Sequence, residues 1–524
     1  MLARLLALAL LCASCTSLSP AAYTRLEDHV LSFDAFGHLV ELESRSRMTA
    51  DERQARYQRI FDKARQSCTS FCSASSSHEH VDDSGGERVR KILLHVHGGM
   101  KSPKSTMKQV DRTLDALALD EARGSEDWHY PIFVQWPSGP FSTYRDHLVH
   151  IRQGRWTPVY GPLTIPFVLP VDLARGLARF PRSAPYQYGL DLGVAGAVGS
   201  QKTYLTSWRN AEDIYAALRS EGSFDVRRGE YRRGSLTQAR RFVVYWLTQP
   251  VKLFVQTFVL DGMGQGAWDT MLWRTRSLFW RPETFAVGEQ ESPCERSIDA
   301  HAMELALGEG PNGHLAEFLR TFRVWLDEER AAGRRYEITL VGHSMGAIVL
   351  NDALSWGDDL GPDRGEPLDV SFFDPEDIGN IVYMAPACSI LDAAQAVVPF
   401  LRQNSELKFR VLTLHPIAEA DEINGFDLPP RGSLLEWIDN WYTVPSSHAD
   451  RRLGKWVNVL QALPMFAGVR EQFSVKGFAV DEDTIPQKHG DFNRCPFWRE
   501  TFWCTEGPYS YEADWAKQAP PSSS

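Results

Sequence analysis

ITLVGHSMGAIVL, Ile338 to Leu350, begins with β-branched and aliphatic residues, passes two glycines around a serine, and continues into small apolar side chains. The first part suits a strand. The last part, extended to AIVLNDAL, has the apolar spacing of a helix. Between them, Gly342 and Gly346 let the chain turn sharply where Cβ atoms would collide, so that Ser344 stands out at the turn. Gly-x-Ser-x-Gly alone is a weak signal in a chain with 38 glycines. Its place between strand and helix is what makes Ser344 a candidate nucleophile rather than the opening residue of a helix.

Working outward, continuous apolar runs bounded by glycine or proline recur at 89–96, 131–136, 338–341, 381–385, 409–414 and 473–480. Strands apolar on both faces belong in a parallel sheet covered by helices. Amphipathic segments such as HLAEFLRTFRVWLDEERAAG lie between them, which is α/β order. Before the first run, residues 21–66 space Leu26, Val30, Phe33 and Phe36 three and four apart and read as helical, and the polar stretch 68–86 reads as a surface linker. The expected organisation is a signal segment over 1–20, a helical extension and Ser-rich linker over 21–88, the main domain over 89–510 and a disordered tail over 511–524. Residues 137–295 are far too many for one crossover and are read as an inserted helical cap. Within it, Gln249, Pro250, Lys252 and Gln256 interrupt the apolar run 242–260, which argues against a transmembrane helix.

The 524 residues carry a formal charge of −11, which argues against nucleic acid as the main partner because counter-ion release needs a basic face. MLARLLALALLCAS has one early arginine, an apolar run and small residues, the pattern of a bacterial export signal. CASC resembles a lipobox, with Cys12 where leucine is usual. The resemblance implies lipidation of Cys15, a membrane tether, and an exported protein of the outer membrane or periplasm; simple cleavage near Ala21 is the alternative. In an oxidising compartment Cys68 with Cys72, and Cys495 with Cys504, are candidate local disulfides.

GHSMG after a strand resembles the nucleophile motif of the α/β-hydrolase superfamily, especially its lipase- and esterase-like members. That resemblance implies an α/β-hydrolase fold and an oxyanion hole just after an early strand, where HVHGGM supplies His97, Gly98 and Gly99. The implied donors are the N–H groups of Gly99 and Met345. Family order places an acid and then a histidine after the serine. His489 follows the last strand and is the implied base, with His448 the less favoured choice; His343, inside the turn, points elsewhere. LTLHPIAEADEING offers Glu419, Asp421 and Glu422, with Asp421 the favoured acid and Glu419 its alternative. The implied reaction is hydrolysis of a small-molecule or lipid carboxylic ester through an acyl-enzyme, with no metal or organic cofactor. Two other readings use the same residues: acyl transfer to an alcohol, and a non-catalytic surface lipoprotein that keeps the fold for binding. GMGQG (262–266) lacks dinucleotide-binding spacing, and the sequence has neither a Walker loop nor HExxH.

Overall fold

The structure is a computed structural model, and it describes residues 18–75, 89–100, 102–125, 127–152, 155–156, 161–196, 235–280, 313–355, 371–414, 418–419, 422, 429–478 and 486–503. Seven strands form one sheet: β1 (Val30–Ser32), β2 (Arg90–Val96), β3 (Tyr130–Gln135), β4 (Tyr336–His343), β5 (Ile378–Met384), β6 (Lys408–Thr413) and β7 (Phe473–Gly477). Their order is β1-β3-β2-β4-β5-β6-β7, and every neighbouring pair is parallel. Val, Ile, Leu and Phe dominate the central strands, and Ile92, Leu94, Ile338, Leu340, Ile381 and Val411 are all buried. An all-parallel sheet must be covered on both faces, so such strands leave no polar side.

The helices follow from similar local rules. α1 (Pro20–Leu26), α2 (Ala50–Ser75) and α3 (Pro103–Ala122) lie among the first strands, and α4 (Pro140–Val149) follows β3. Next come α5 (Gly161–Gly196) and α6 (Ser235–Phe254), the latter continuing through a π-helical stretch (Val255–Met263) into α7 (Gly264–Ser277). α8 (His314–Ala331) buries Leu315, Phe318, Leu319, Phe322, Trp325 and Leu326 at helical spacing. Its aromatics stack on Phe61 of α2, with ring centroids 5.9 Å away for Phe322 and 5.1 Å for Trp325. α9 (Gly346–Leu354) leaves the serine turn, and α10 (Ile390–Gln403) starts at a capping box between Ser389 and Asp392.

The helical reading of 21–66 needs correction. Val30–Ser32 is a strand that pairs with Phe133–Gln135 and extends the sheet by one edge position. Antiparallel bridges, Phe33 to Leu39 and Val40 to Arg47, then fold the chain back before α2 begins. Val30, Leu31 and Phe33 are all buried, so tertiary pairing overrides the three-and-four spacing. The surface-linker reading of 68–86 is also too broad, because α2 runs to Ser75 and Cys68 is buried. The side chain of Cys72, and all of residues 1–17, 197–234 and 504–524, lie outside the described residues, so the lipidation and disulfide expectations are left where the sequence put them.

The strand order contains a reversal of direction. From β2 the chain steps to β3 on one side, whereas from β4 it steps to β5 on the other. The connections that leave the carboxyl ends of β2 and β4 therefore diverge, and open α/β sheets bind ligands where such a reversal occurs. HVHGG ends β2 and GHSMG ends β4, so both sequence motifs fall at this reversal.

Candidate active site

Ser344 sits between β4 and α9 with a φ of +54°, one of four positive-φ non-glycine residues among those described. Left-handed backbone at a serine costs free energy and persists only where its surroundings fix it. Here the Ser344 N–H donates to the Met384 carbonyl at 2.9 Å, and its own carbonyl accepts from Ala347 and Ala387. The turn is thus tied to the carboxyl end of β5. Gly346 is obligatory, since a Cβ there would stand 2.1 Å from the Val96 carbonyl oxygen.

The end of β2 packs directly on this turn. A Cβ at Gly98 would lie 2.8 Å from Cβ of Ser344 and 2.6 Å from Nδ1 of His343. A Cβ at Gly99 would lie 2.8 Å from the sulfur of Met345 and 3.9 Å from that of Met271 on α7. The His97–Gly99 loop is held in turn by the segment after β3: Met100 N–H donates to the Ser138 carbonyl, and Trp136 N–H donates to His97 Nε2 at 3.0 Å. Arg274 on α7 reaches the same segment, donating to the Pro137 carbonyl at 2.8 Å and to Asp146 at 2.7 Å. Among the described residues, turn and loop hydrogen bonds leave the N–H groups of Gly99 and Met345 without a backbone carbonyl.

His489 opens a short 3-10 turn (His489–Arg494) beyond β7. Its Nε2 stands 2.8 Å from Ser344 Oγ, a hydrogen-bond distance between residues 145 positions apart. Both are buried, Ser344 at 1% and His489 at 6% exposure. The backbone of His489 is fixed at both ends. Its N–H donates to Glu422 Oε2 at 2.9 Å, and its carbonyl lies 3.0 Å from His343 Nε2. Because a carbonyl only accepts, His343 carries its proton on Nε2, which leaves Nδ1 to accept from Asn493 Nδ2 at 3.0 Å.

The remaining sequence candidates divide. Asp421 lies outside the described residues. Glu419 is buried, and its carboxylate accepts from Ser433 Oγ at 3.3 Å beside Glu436 and Lys455, with burial holding its pKa well above the usual range. Glu422 is the described carboxylate that touches His489; burial raises its pKa to about 7, with the His489 N–H opposing the rise. His448 is exposed. Sequence reasoning missed the clamp of Glu422, His343 and Asn493 around the His489 backbone. A histidine inside the turn was the one visible signal, and its partner lies 146 positions away.

No protein-family model, no curated protein and no solved structure matches this chain. The parallel seven-stranded sheet with flanking helices is compatible with a hydrolase fold.

Proposed function

We propose that the protein is a serine hydrolase of the α/β-hydrolase type that cleaves carboxylic esters. The observation that carries this reading is Ser344 in a left-handed turn with its oxygen 2.8 Å from His489 Nε2. A hydroxyl is a weak nucleophile at neutral pH and needs an adjacent base, which is what an imidazole at that distance supplies.

In the proposed reaction Ser344 Oγ bonds to the ester carbonyl carbon while its proton passes to His489 Nε2. The carbonyl electron pair moves to oxygen, and the N–H groups of Gly99 and Met345 receive the charge. The tetrahedral adduct collapses, the C–O bond to the alcohol breaks, and the imidazolium returns its proton to the departing oxygen. Water then attacks the acyl-serine with the same base, releasing acid and free Ser344. Asp421 is the proposed partner of the imidazole Nδ1 side. Glu422 and His343 act on the backbone of His489, so they hold the ring where it is needed without touching the reacting atoms.

A panel of chromogenic esters of increasing acyl length tests this reading. The expected result is hydrolysis that Ser344→Ala abolishes. No hydrolysis by the parent with any ester points to the binding-protein alternative, and preferential transfer to an added alcohol over water points to the transferase.

A further inference from the structure

The pair formed by α5 and α6 with its π-helical continuation has its polarity reversed. Asp172, Gln249, Lys252, Gln256, Thr257 and Asp261 are buried, none more than 6% exposed. Asp172 accepts from Tyr144 Oη at 3.1 Å and pairs with Arg175, and Arg179 Nε stands 3.7 Å from Asp261. Outside are Leu163 at 73%, Phe167 at 71%, Leu247 at 76% and Phe254 at 60% exposure, with Leu177 and Trp246 about half exposed. Twelve of the seventeen exposed large apolar side chains among the described residues lie on this pair. Single exposed apolar residues are ordinary on any protein, but a concentration of this kind marks a binding surface.

A helix facing water turns its apolar stripe to the core and its charges outward. This pair does the opposite. Against hydrocarbon each feature becomes favourable, since polar side chains then join helix to helix and apolar ones meet acyl chains. The outward charge also selects the occupant. Among the described side chains of the pair the two carboxylates, Asp172 and Asp261, are buried and faced by Arg175 and Arg179, which leaves Arg182 as the exposed charge. A cationic apolar face attracts anionic head groups and repels a second copy of itself. Among the described residues no helix is long and apolar enough to cross a membrane, which sets the depth at the interface.

We propose that the outer face of this helix pair lies in the acyl boundary of an anionic phospholipid bilayer. The proposal stands apart from the reading of Ser344 as a nucleophile. It is tested with the full chain carrying Cys15→Ser, which removes any acyl anchor from the comparison, and vesicles of phosphatidylcholine containing phosphatidylglycerol. The protein is expected to float with the vesicles, and brominated acyl chains are expected to quench a fluorescence component that Trp246→Phe removes. The combined substitution Phe167→Ser, Leu247→Ser and Phe254→Ser touches only exposed side chains. It should keep the melting temperature while lowering vesicle partitioning about a hundredfold. Flotation unchanged by the three substitutions overturns the proposal. So does a parent chain that stays in solution, whether as a monomer or as a dimer that the three substitutions split, the latter assigning the face to a second copy.

Discussion

The sheet and the α5–α6 pair bury opposite kinds of side chain. Around the sheet, Phe322, Leu340, Val341 and Phe409 are sealed from solvent at 0% exposure, and buried polar groups meet polar partners, as Ser344 and His489 do. In the helix pair, Lys252, Gln256 and Asp261 are sealed at 0% while Leu163, Phe167 and Leu247 face outward. The same chain therefore follows two solvents, water around the sheet and a proposed acyl phase around the pair. The difference teaches that polar burial has two meanings here. In the sheet region it includes the pair Ser344 and His489, the proposed nucleophile and base, and in the helix pair it lies beneath an exposed surface that is largely apolar.

Breaking the chemical half of that contrast should have the largest effect. His489→Ala is expected to lower kcat/KM for ester hydrolysis by roughly 10⁴-fold, with little change in melting temperature, because loss of the base alone removes most of what a triad supplies. Asp421→Asn should fall in the same direction in the same assay, and Glu419→Gln, bonded to Ser433, should change it little.

Next in size is the sheet's packing. Phe322→Ala, at 0% exposure and stacked against both Phe61 and Trp325, should cost about 3–5 kcal/mol in denaturant unfolding. Glu422 gives a smaller effect with a sign that can be checked. Its folded pKa of about 7 lies above the ordinary 4.5, so between those values the folded state keeps a proton that the unfolded chain releases. Its contribution therefore lowers stability as pH rises through that window and levels off above it. Glu422→Gln should remove about 2 kcal/mol of the decline between pH 5 and pH 8, measured by urea unfolding at both.

Gly98→Ala places a carbon 2.8 Å from Cβ of Ser344 and should cost about 1–3 kcal/mol, with loss of turnover larger than loss of stability because the displaced atoms are those of the serine turn. The smallest expected effect is Leu247→Ser in the helix pair, which should stay within about 0.5 kcal/mol in aqueous unfolding. A loss there as large as that of Phe322→Ala would erase the distinction between the two regions.

Legibility in the sequence followed the same division. The parallel sheet was readable because its strands are apolar on both faces, and the serine turn was readable because Gly342 and Gly346 interrupt a strand and a helix at the right spacing. Strand β1 was not, since three residues pair with β3 through contacts about a hundred positions distant, which no local periodicity carries. The hold of Glu422 and His343 on the His489 backbone was likewise invisible, being made by one N–H and one carbonyl that any residue possesses. Gln249, Lys252 and Gln256 looked like interruptions of an apolar run. In the folded chain they all point to one side, and that leaves the other side almost wholly apolar.

The central claim is that the imidazole at 489 activates the hydroxyl at 344. A fluorophosphonate probe with mass-spectrometric mapping tests it most directly. A single adduct on Ser344 is expected, its formation slowed by orders of magnitude in His489→Ala; labelling of Ser344 at an unchanged rate in that variant, or none in the parent, would contradict the claim.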